Sequence, residues 1–378
     1  MKLRINKFDI LEPLTKVQGI TSKKSALSIT GNILIKTTNF GISITATNLE
    51  TGFEGEYPAS IESEGAMVIN SKKFFEIIKD FPDDVIYIAE IENRWLEIKG
   101  NQVEYHIVGM NPDEFPSIPV IEDATFWSID ALTFKQMIEK TIVVSAASDE
   151  KRTYINGVYF EKYAKENHVI FRMVSTDNRR INLIEYEPDP PMELPFSENF
   201  LVPKKSLNEI QKMINPSEPI QLAIKNNYFI IKKEREIILS RLLEGKFPNY
   251  HDAIQKKPDD AIELKKDQFL MMLRRMAILY SDEFKGFFLK FSQDMLEATA
   301  MHPHFGESKE TMGISYSRNP IEISFNPKLI LEAVNAIVDD EVYCYIRTKE
   351  SPCIIEGKNN KNFLSLIMPI KIENESSE

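Results

Sequence analysis

The chain is poor in cysteine: Cys344 and Cys353 are the only two in 378 residues. Two thiols cannot brace a chain of this size, and a reducing, cytoplasmic setting is the simpler reading. No stretch approaches the ~18 uninterrupted apolar residues of a membrane span, so no membrane association is expected. The opening Met-Lys-Leu-Arg-Ile-Asn-Lys-Phe lacks the apolar core of a signal peptide. Catalytic signatures are missing as well. There is no Gly-x-Gly-x-x-Gly, no Gly-x-x-x-x-Gly-Lys-Ser/Thr and no His-Glu-x-x-His. His302 and His304 would share a strand face, with Glu307 nearby, but a metal site needs further convergent ligands. Exposed loop histidines are the plainer reading. Asp177 beside Arg179 and Arg180 reads as a turn, because no nucleophile or paired carboxylate stands at a useful spacing. No catalytic residue, metal or cofactor is expected.

What is present is repetition. Lys72-x-Phe74-x-Glu76-Ile77, Lys205-x-Leu207-x-Glu209-Ile210 and Lys328-x-Ile330-x-Glu332-Ala333 recur after 133 and then 123 residues. Gly31-Asn-Ile-Leu-Ile, Gly157-Val-Tyr-Phe-Glu and Gly286-Phe-Phe-Leu-Lys are spaced 126 and 129. Apolar positions at i, i+3, i+4 and i+7 form a third family: Ile10/Pro13/Leu14/Val17, Phe134/Met137/Ile138/Thr141 and Phe269/Met272/Leu273/Met276. The order is the same in every third. A period near 126 residues is domain-sized, far longer than a solenoid repeat. The chain reads as three tandem copies, 1–122, 123–254 and 255–378, the last ending in the short acidic tail Glu373-Asn-Glu-Ser-Ser-Glu378. Borders fall at Phe115-Pro-Ser-Ile-Pro119 and Phe247-Pro-Asn-Tyr250. Each copy runs helix, strand pair, helix, strands. The expected class is α+β, with two helices packed on one face of a mostly antiparallel sheet.

Net charge is −11, which taken alone argues against a nucleic-acid partner. Its distribution says otherwise. The six helical stretches, 6–24, 71–81, 132–144, 203–215, 265–276 and 327–338, together hold +9, so the rest of the chain holds −20. If the helices share a surface, that surface is basic and the exterior acidic. Lysine also simply suits exposed helix positions. The cations Lys23, Lys24, Lys72, Lys73, Lys204, Lys205, Lys265, Lys266, Arg274 and Arg275 suit a phosphate backbone read without sequence. Lys151-Arg-Thr-Tyr154 adds an aromatic beside two cations. Apolar residues around Ile155, Pro248 and Leu366-Ile-Met-Pro-Ile370 would make a peptide-sized groove if they converge between the second and third copies.

These pieces together resemble the bacterial β sliding clamp family, the beta subunit of DNA polymerase III. The resemblance spans essentially the whole chain. Its pieces are Thr30-Gly-Asn-Ile-Leu, Lys73-Phe-Phe-Glu-Ile, Asp113-Glu-Phe-Pro, Tyr154-Ile-Asn-Gly-Val-Tyr-Phe, Ser175-Thr-Asp-Asn-Arg-Arg, Val202-Pro-Lys-Lys, Leu243-Glu-Gly-Lys-Phe-Pro-Asn-Tyr, Phe284-Lys-Gly, Ile323-Ser-Phe-Asn-Pro and Met368-Pro-Ile. The resemblance implies a non-enzymatic processivity factor: a head-to-tail homodimer closed as a six-domain ring, helices lining the hole, encircling double-stranded DNA without sequence preference. It implies that the replicative polymerase, the clamp loader and repair proteins dock short linear peptides in a hydrophobic cleft.

On that basis the cleft would comprise Ile155, Thr176, Arg179, Arg180, Ile181, Pro248, Ala253, Leu329, Pro352, Leu366, Met368 and Ile370. DNA contacts would fall on Lys24, Lys72, Lys151, Arg152, Tyr154 and Lys205. The ring seam would join Lys73, Tyr105 and Ile107 to Ile278, Leu279 and Glu307. Three departures bear on peptide preference. Asn178 stands where the family often has glycine, Asp252 stands where a basic residue is common, and six residues follow Ile372. Asparagine tolerates a left-handed backbone, so the turn at Asn178 is expected to persist. A peptide-binding scaffold paralogue that encircles no DNA is the alternative, and charge reversal at the helix lysines, its mark, is not seen. A hydrolase using Asp177 and His302 is a third reading without a supporting constellation.

Overall fold

The structure, a computed structural model, describes residues 1–21, 28–119, 121–144, 152–165, 168–191, 193–255, 257–258, 260–283 and 286–370. Its helices follow the repeated apolar spacing. In α1 (Lys7–Thr21), Ile10, Leu14, Val17 and Ile20 are fully buried. α2 (Ser71–Asp80) starts at Asn70, whose side chain accepts the Lys73 N–H at 3.0 Å. α3 (Ala131–Ile142) starts where Asp130 accepts the Thr133 N–H at 2.8 Å, and Phe134, Met137, Ile138 and Thr141 face the core. α4 (Lys204–Met213) buries Leu207 and Ile210. α5 (His251–Gln255) is a short helix that the periodicity did not announce. α6 (Lys266–Met276) buries Phe269, Met272, Leu273 and Met276. α7 (Pro327–Asn335) has proline in its first turn and Asn326 as its cap. The expected spans 71–81, 203–215 and 327–338 overshoot because apolar burial continues past the helix. Phe81, Ile214 and Ile337 are buried just beyond the last helical residue. Among the described residues no helix is long and apolar enough to cross a membrane.

The glycine-led repeat needs a one-residue correction. Val158 and Phe160 face the core, as do Phe287 and Leu289, but in the first copy the fully inward pair is Ile33 and Ile35. Asn32, not Gly31, therefore corresponds to Gly157. The four-residue turn Ser28–Gly31 precedes that strand and takes up the extra residue.

The chain divides into two compact units, and the division cuts through the middle copy. The first holds Met1–Gln136, Glu193–Ser197 and Val202–Leu243; the second holds Met137–Met192, Glu198–Leu201 and Glu244–Glu378. The first contains a five-stranded sheet in the order Ser60–Ser63, Lys2–Asn6, Val85–Glu90, Trp95–Lys99, Glu104–Val108. Its eight-stranded sheet runs Trp127–Ile129, Ile220–Lys225, Tyr228–Lys233, Glu236–Arg241, Thr51–Pro58, Gly41–Thr47, Asn32–Thr37, Ala66–Asn70. Four of these strands come from the second copy and four from the first, joined antiparallel with Ile238 opposite Phe53. α1 packs on α2 and across this sheet.

The second unit repeats the plan with the next pair of copies. Its eight-stranded sheet runs Phe200–Pro203, Gly157–Lys165, His168–Thr176, Arg180–Tyr186, Phe363–Ile367, Cys353–Gly357, Glu341–Tyr345, Ile262–Lys265. The join places Ser365 opposite Asn182. A four-stranded sheet runs Gly306–Gly313, Met295–His302, Phe287–Ser292, Ile321–Ser324, and α6 packs on α7. Both joins between copies are antiparallel, so each copy lends one half-sheet to the next. Among the described residues, Glu104–Val108 and Gly306–Gly313 each end a sheet with one side unpaired.

Candidate functional site

The join between the second and third copies carries an apolar surface. Ile181 lies opposite Leu366 and Leu183 opposite Leu364. Tyr345, Ile354, Leu364 and Leu366 form a buried cluster, with Ile181, Ala253 and Ile254 packed against it. α5 is held over this sheet by Tyr250, which is 2% exposed, and its start is braced by Asn249, whose side-chain carbonyl accepts the His251 N–H at 3.2 Å. Beside α5 opens a cleft of about 350 Å³ between Ala253 and Pro258 on one side and Arg347, Pro352, Ile354 and Met368 on the other. Met368 is 43% exposed, and its backbone N–H donates to the Arg179 carbonyl at 2.8 Å.

The twelve expected cleft residues separate into groups. Ala253, Pro352 and Met368 line the cleft, and Ile181 and Leu366 belong to the cluster beneath it. Ile155 and Thr176 are buried, and Leu329 and Ile370 are half-buried, the latter donating its N–H to the Ser324 carbonyl at 2.8 Å. Pro248 and Arg179 are exposed. Arg180 is 3% exposed and fully engaged: it pairs with Asp177 at 3.1 Å and with Glu332, and donates to the Val143 carbonyl at 3.1 Å. Its guanidinium braces the wall rather than facing a ligand. Asn178 has φ 68°, the left-handed turn expected of it, and Asp177 accepts the N–H groups of Arg179 and Arg180 at 2.9 and 3.0 Å. The Asp177 cluster is thus a turn between strands.

Behind α5 lies a charged network that the repeat pattern did not single out. Arg172, 6% exposed, sits between Glu161 and Glu185, its directly paired neighbours on either side. It donates to Glu161 at 3.2 Å, to Glu185 at 3.0 Å and to the Tyr250 hydroxyl at 3.1 Å, and stacks over Tyr163 at 3.8 Å. His251 reaches Glu161 at 3.1 Å. Burial works against the Arg172 charge, but the Tyr250 oxygen and Glu185 outweigh it and hold its pKa above the ordinary arginine value. Burial and then the hydrogen bond to Glu161 push the Tyr250 hydroxyl up. Glu161, Arg172 and Glu185 fall at mutually paired positions of three adjacent strands, a pairing no local sequence signal marks.

The expected DNA-contacting residues lie in both units. In the first, Lys72 is exposed on α2 and Lys205 is exposed on α4. Glu76 sits one turn on, 2.9 Å from Lys73 and 3.9 Å from Lys72, and the hydrogen bond from Lys73 holds its carboxyl below the usual range. In the second, Arg152 is exposed, and Tyr154 donates its hydroxyl to Asn178 at 3.0 Å with its ring edge-on to Phe247. Lys24 and Lys151 lie outside the described residues.

The expected seam residues fall on two end strands and beside them. Tyr105 and Ile107 are on Glu104–Val108, and Glu307 is on Gly306–Gly313. Ile278, just past α6, is 79% exposed; Leu279 is half-buried and Lys73 exposed. Among the described residues, Glu97, Glu104 and His106 are the one group with metal-ligand spacing, but Lys99 already pairs with Glu104 at 3.2 Å. His302 accepts the His304 N–H at 3.2 Å and packs its ring on Phe305.

Comparison with known proteins agrees with this architecture. The family models for the DNA polymerase III beta subunit match in order: the N-terminal domain at residues 1–119, the central domain at 128–249 and the C-terminal domain at 252–371. The beta sliding clamp of Salmonella typhimurium is 27% identical over 375 residues, covering 98% of this chain and 100% of the relative. That of Escherichia coli K12 is 26% identical over 374 residues, with the same coverage. The crystal structure of a DNA polymerase III beta subunit from Eubacterium rectale superposes with a TM-score of 0.91 at 26% identity, covering 98% of this chain and 100% of that one. A Pseudomonas aeruginosa sliding clamp solved with griselimycin shares the fold, with a TM-score of 0.89 at 22% identity over 98% of this chain and 100% of that one. Three domain models in sequence order, relatives matched over their full length and a common fold place this chain in the DNA polymerase III beta subunit family, the beta sliding clamps.

Proposed function

We propose that the chain acts as a sliding clamp: two copies close head to tail around duplex DNA, and partners are held at the cleft beside α5. The observation that carries this is the way copies join. Both joins within the chain use the third strand of one half-sheet and the last strand of the next copy's half-sheet. The two strands that would make a third such join, Gly306–Gly313 and Glu104–Val108, have no neighbour on one side among the described residues. A second molecule supplies what each lacks, and heterologous contacts that close after two subunits make a ring rather than a fibre.

Exposed Lys72, Lys205 and Arg152 then meet phosphate without reading bases. Their grip is weak enough to slide, since the hold is topological. No chemical step is assigned to the chain. The replicative polymerase, the loader and repair proteins are the partners of the cleft, each through a short apolar segment. Griselimycin, seen with the Pseudomonas relative, is a ready probe of that cleft.

The test is mass and salt. The protein in solution should sediment at twice 43.6 kDa, and its affinity for linear duplex should be weak and fall steeply with salt. A strict monomer, or tight salt-insensitive binding to a linear fragment, overturns the reading.

A further inference from the structure

We propose that the seam between two copies has one register, Tyr105 of one molecule opposite Ser308 of the other, written by three side-chain pairs on its outer face: Glu104 with Lys309, His106 with Glu307, and Val108 with Phe305. The inference rests on the clamp reading and specifies its self-recognition.

The register follows from the molecule's own repetition. Five residues before Ile10, Phe134 and Phe269 stand Ile5, Ile129 and Leu264, paired with Ile86, Ile220 and Val342. Two residues on, Ile88, Leu222 and Cys344 pair with Ile98, Ile231 and Ile355. Those in turn face Tyr105, Ile238 and Ser365, which therefore hold one structural position in three copies. On the opposing side, the inward residues Ile35, Phe160 and Leu289 pair with Ile44, Met173 and Ala298, and these with Gly55, Ile184 and Glu310. Two residues back stand Phe53, Asn182 and Ser308. Within the chain Ile238 meets Phe53 and Ser365 meets Asn182. The third member of one set then meets the third of the other.

The side-chain chemistry of the two strands agrees with this backbone register. Ile98, opposite Tyr105, is fully buried, so Tyr105 leans to the core side while Glu104, His106 and Val108 face outward. Across the seam Phe305, Glu307 and Lys309 are the exposed alternates. Antiparallel pairing in this register sets carboxylate against ammonium, imidazole against carboxylate, and valine against phenylalanine. Val108 and Phe305 are 62% and 76% exposed in the single chain, among its most exposed large apolar side chains. A slip of two residues one way sets Glu104 against Glu307, two like charges; the other way sets Val108 against Glu307 and gives up both the Glu104–Lys309 and the Val108–Phe305 pairs. The side-chain pattern thus fixes the register where the pleat alone would not. Until a partner arrives, Glu104 is shared by Lys99 and His106, each at 3.2 Å, and Lys309 is held by Glu297 at 2.7 Å. At the corresponding place the cleft join has Leu364 with Leu183 and Leu366 with Ile181, so one backbone join carries an apolar code inside the chain and a charged one between chains.

A charge swap tests it. Glu104→Lys and Lys309→Glu should each raise the dimer dissociation constant about tenfold by sedimentation equilibrium, and the double variant Glu104→Lys/Lys309→Glu should return to within about threefold of the wild type. Both residues are exposed, so the far-ultraviolet circular dichroism spectrum should stay unchanged and exclude misfolding. A wild-type protein that remains monomeric overturns the clamp reading itself. A wild-type dimer indifferent to the single changes, or not rescued by the double, overturns the register alone.

Discussion

The two joins within the chain share a backbone plan and differ in what covers them. At the first, Gly52 lies opposite Leu239; at the second, Ile181 lies opposite Leu366. The segment after Phe115 lies on the first: Ile118, Ile121 and Phe126 pack on the buried Ala223, Ile230 and Leu239. Ile118 comes so near Gly52 that a Cβ there would stand 3.1 Å from its side chain, so the absent side chain makes room for the linker. Polar contacts seal the rest. Thr51 and Ser206 hydroxyls meet at 2.8 Å, and Glu236 accepts from Lys16 at 2.6 Å and from Tyr57 at 2.7 Å. At the second join the linker folds into α5, covers part of the apolar cluster and leaves the cleft. A cleft persists here because the second join leaves unfilled a groove that its sibling fills with its own chain.

The contrast can be broken first at Arg172, on which the α5 side depends. Arg172→Met should lower stability by about 3–5 kcal/mol, because Glu161 stays buried and Glu185 half-buried without their cation; a thermal melt within error of the wild type would refute the bracing role. Ile118→Ala should cost about 1–2 kcal/mol for a half-buried side chain. It should also uncover the first groove, seen as a second, weaker griselimycin site by calorimetry. Met368→Ala should weaken that ligand about tenfold at the cleft and leave stability within about 0.5 kcal/mol, as its side chain is largely solvated. The smallest effect lies in two hairpin braces. Asp83 accepts the Asn101 N–H at 3.0 Å, and Asp339 accepts the N–H groups of Asn359 and Asn360 at 2.6 and 2.9 Å. Those two backbone bonds hold the Asp339 carboxyl below its ordinary value. A depressed folded-state pKa stabilises above the unfolded value near ~3.9 and stops doing so as pH falls through the folded one. Asp339→Asn should therefore melt slightly below the wild type at neutral pH and level with it in strong acid.

Much of this was legible in the residues. Helix periodicity works because burial alone selects Ile10, Phe134 and Phe269 and their partners, and the threefold order followed from it. The turn at Asn178 was readable because few side chains tolerate its backbone. What the residues could not show was pairing across the chain. Nothing local in Thr51–Pro58 announces Glu236–Arg241 as its neighbour, so the half-sheet exchange was invisible. The glycine alignment slipped by one in the first copy because a turn absorbs a residue without altering composition. Of the cleft, Leu366 and Met368 stood out as apolar residues near a proline, whereas Arg347 and Pro258 line it only through long-range folding. Arg180 looked like a ligand-facing cation and is spent on Asp177, Glu332 and Val143, a fate set by distant residues.

The exchange of half-sheets has a consequence for synthesis on the ribosome. The first copy emerges with the strand Thr51–Pro58 bare along one side, and its mate Glu236–Arg241 is made only after most of the middle copy. At roughly 5–20 residues per second that edge stays open for about 10–40 s. An open edge is a template for unwanted pairing between nascent chains. A chain interrupted near residue 122 would keep that liability permanently, so truncation at the first repeat border should give aggregates, and the smallest fragment with that edge covered should end beyond Arg241.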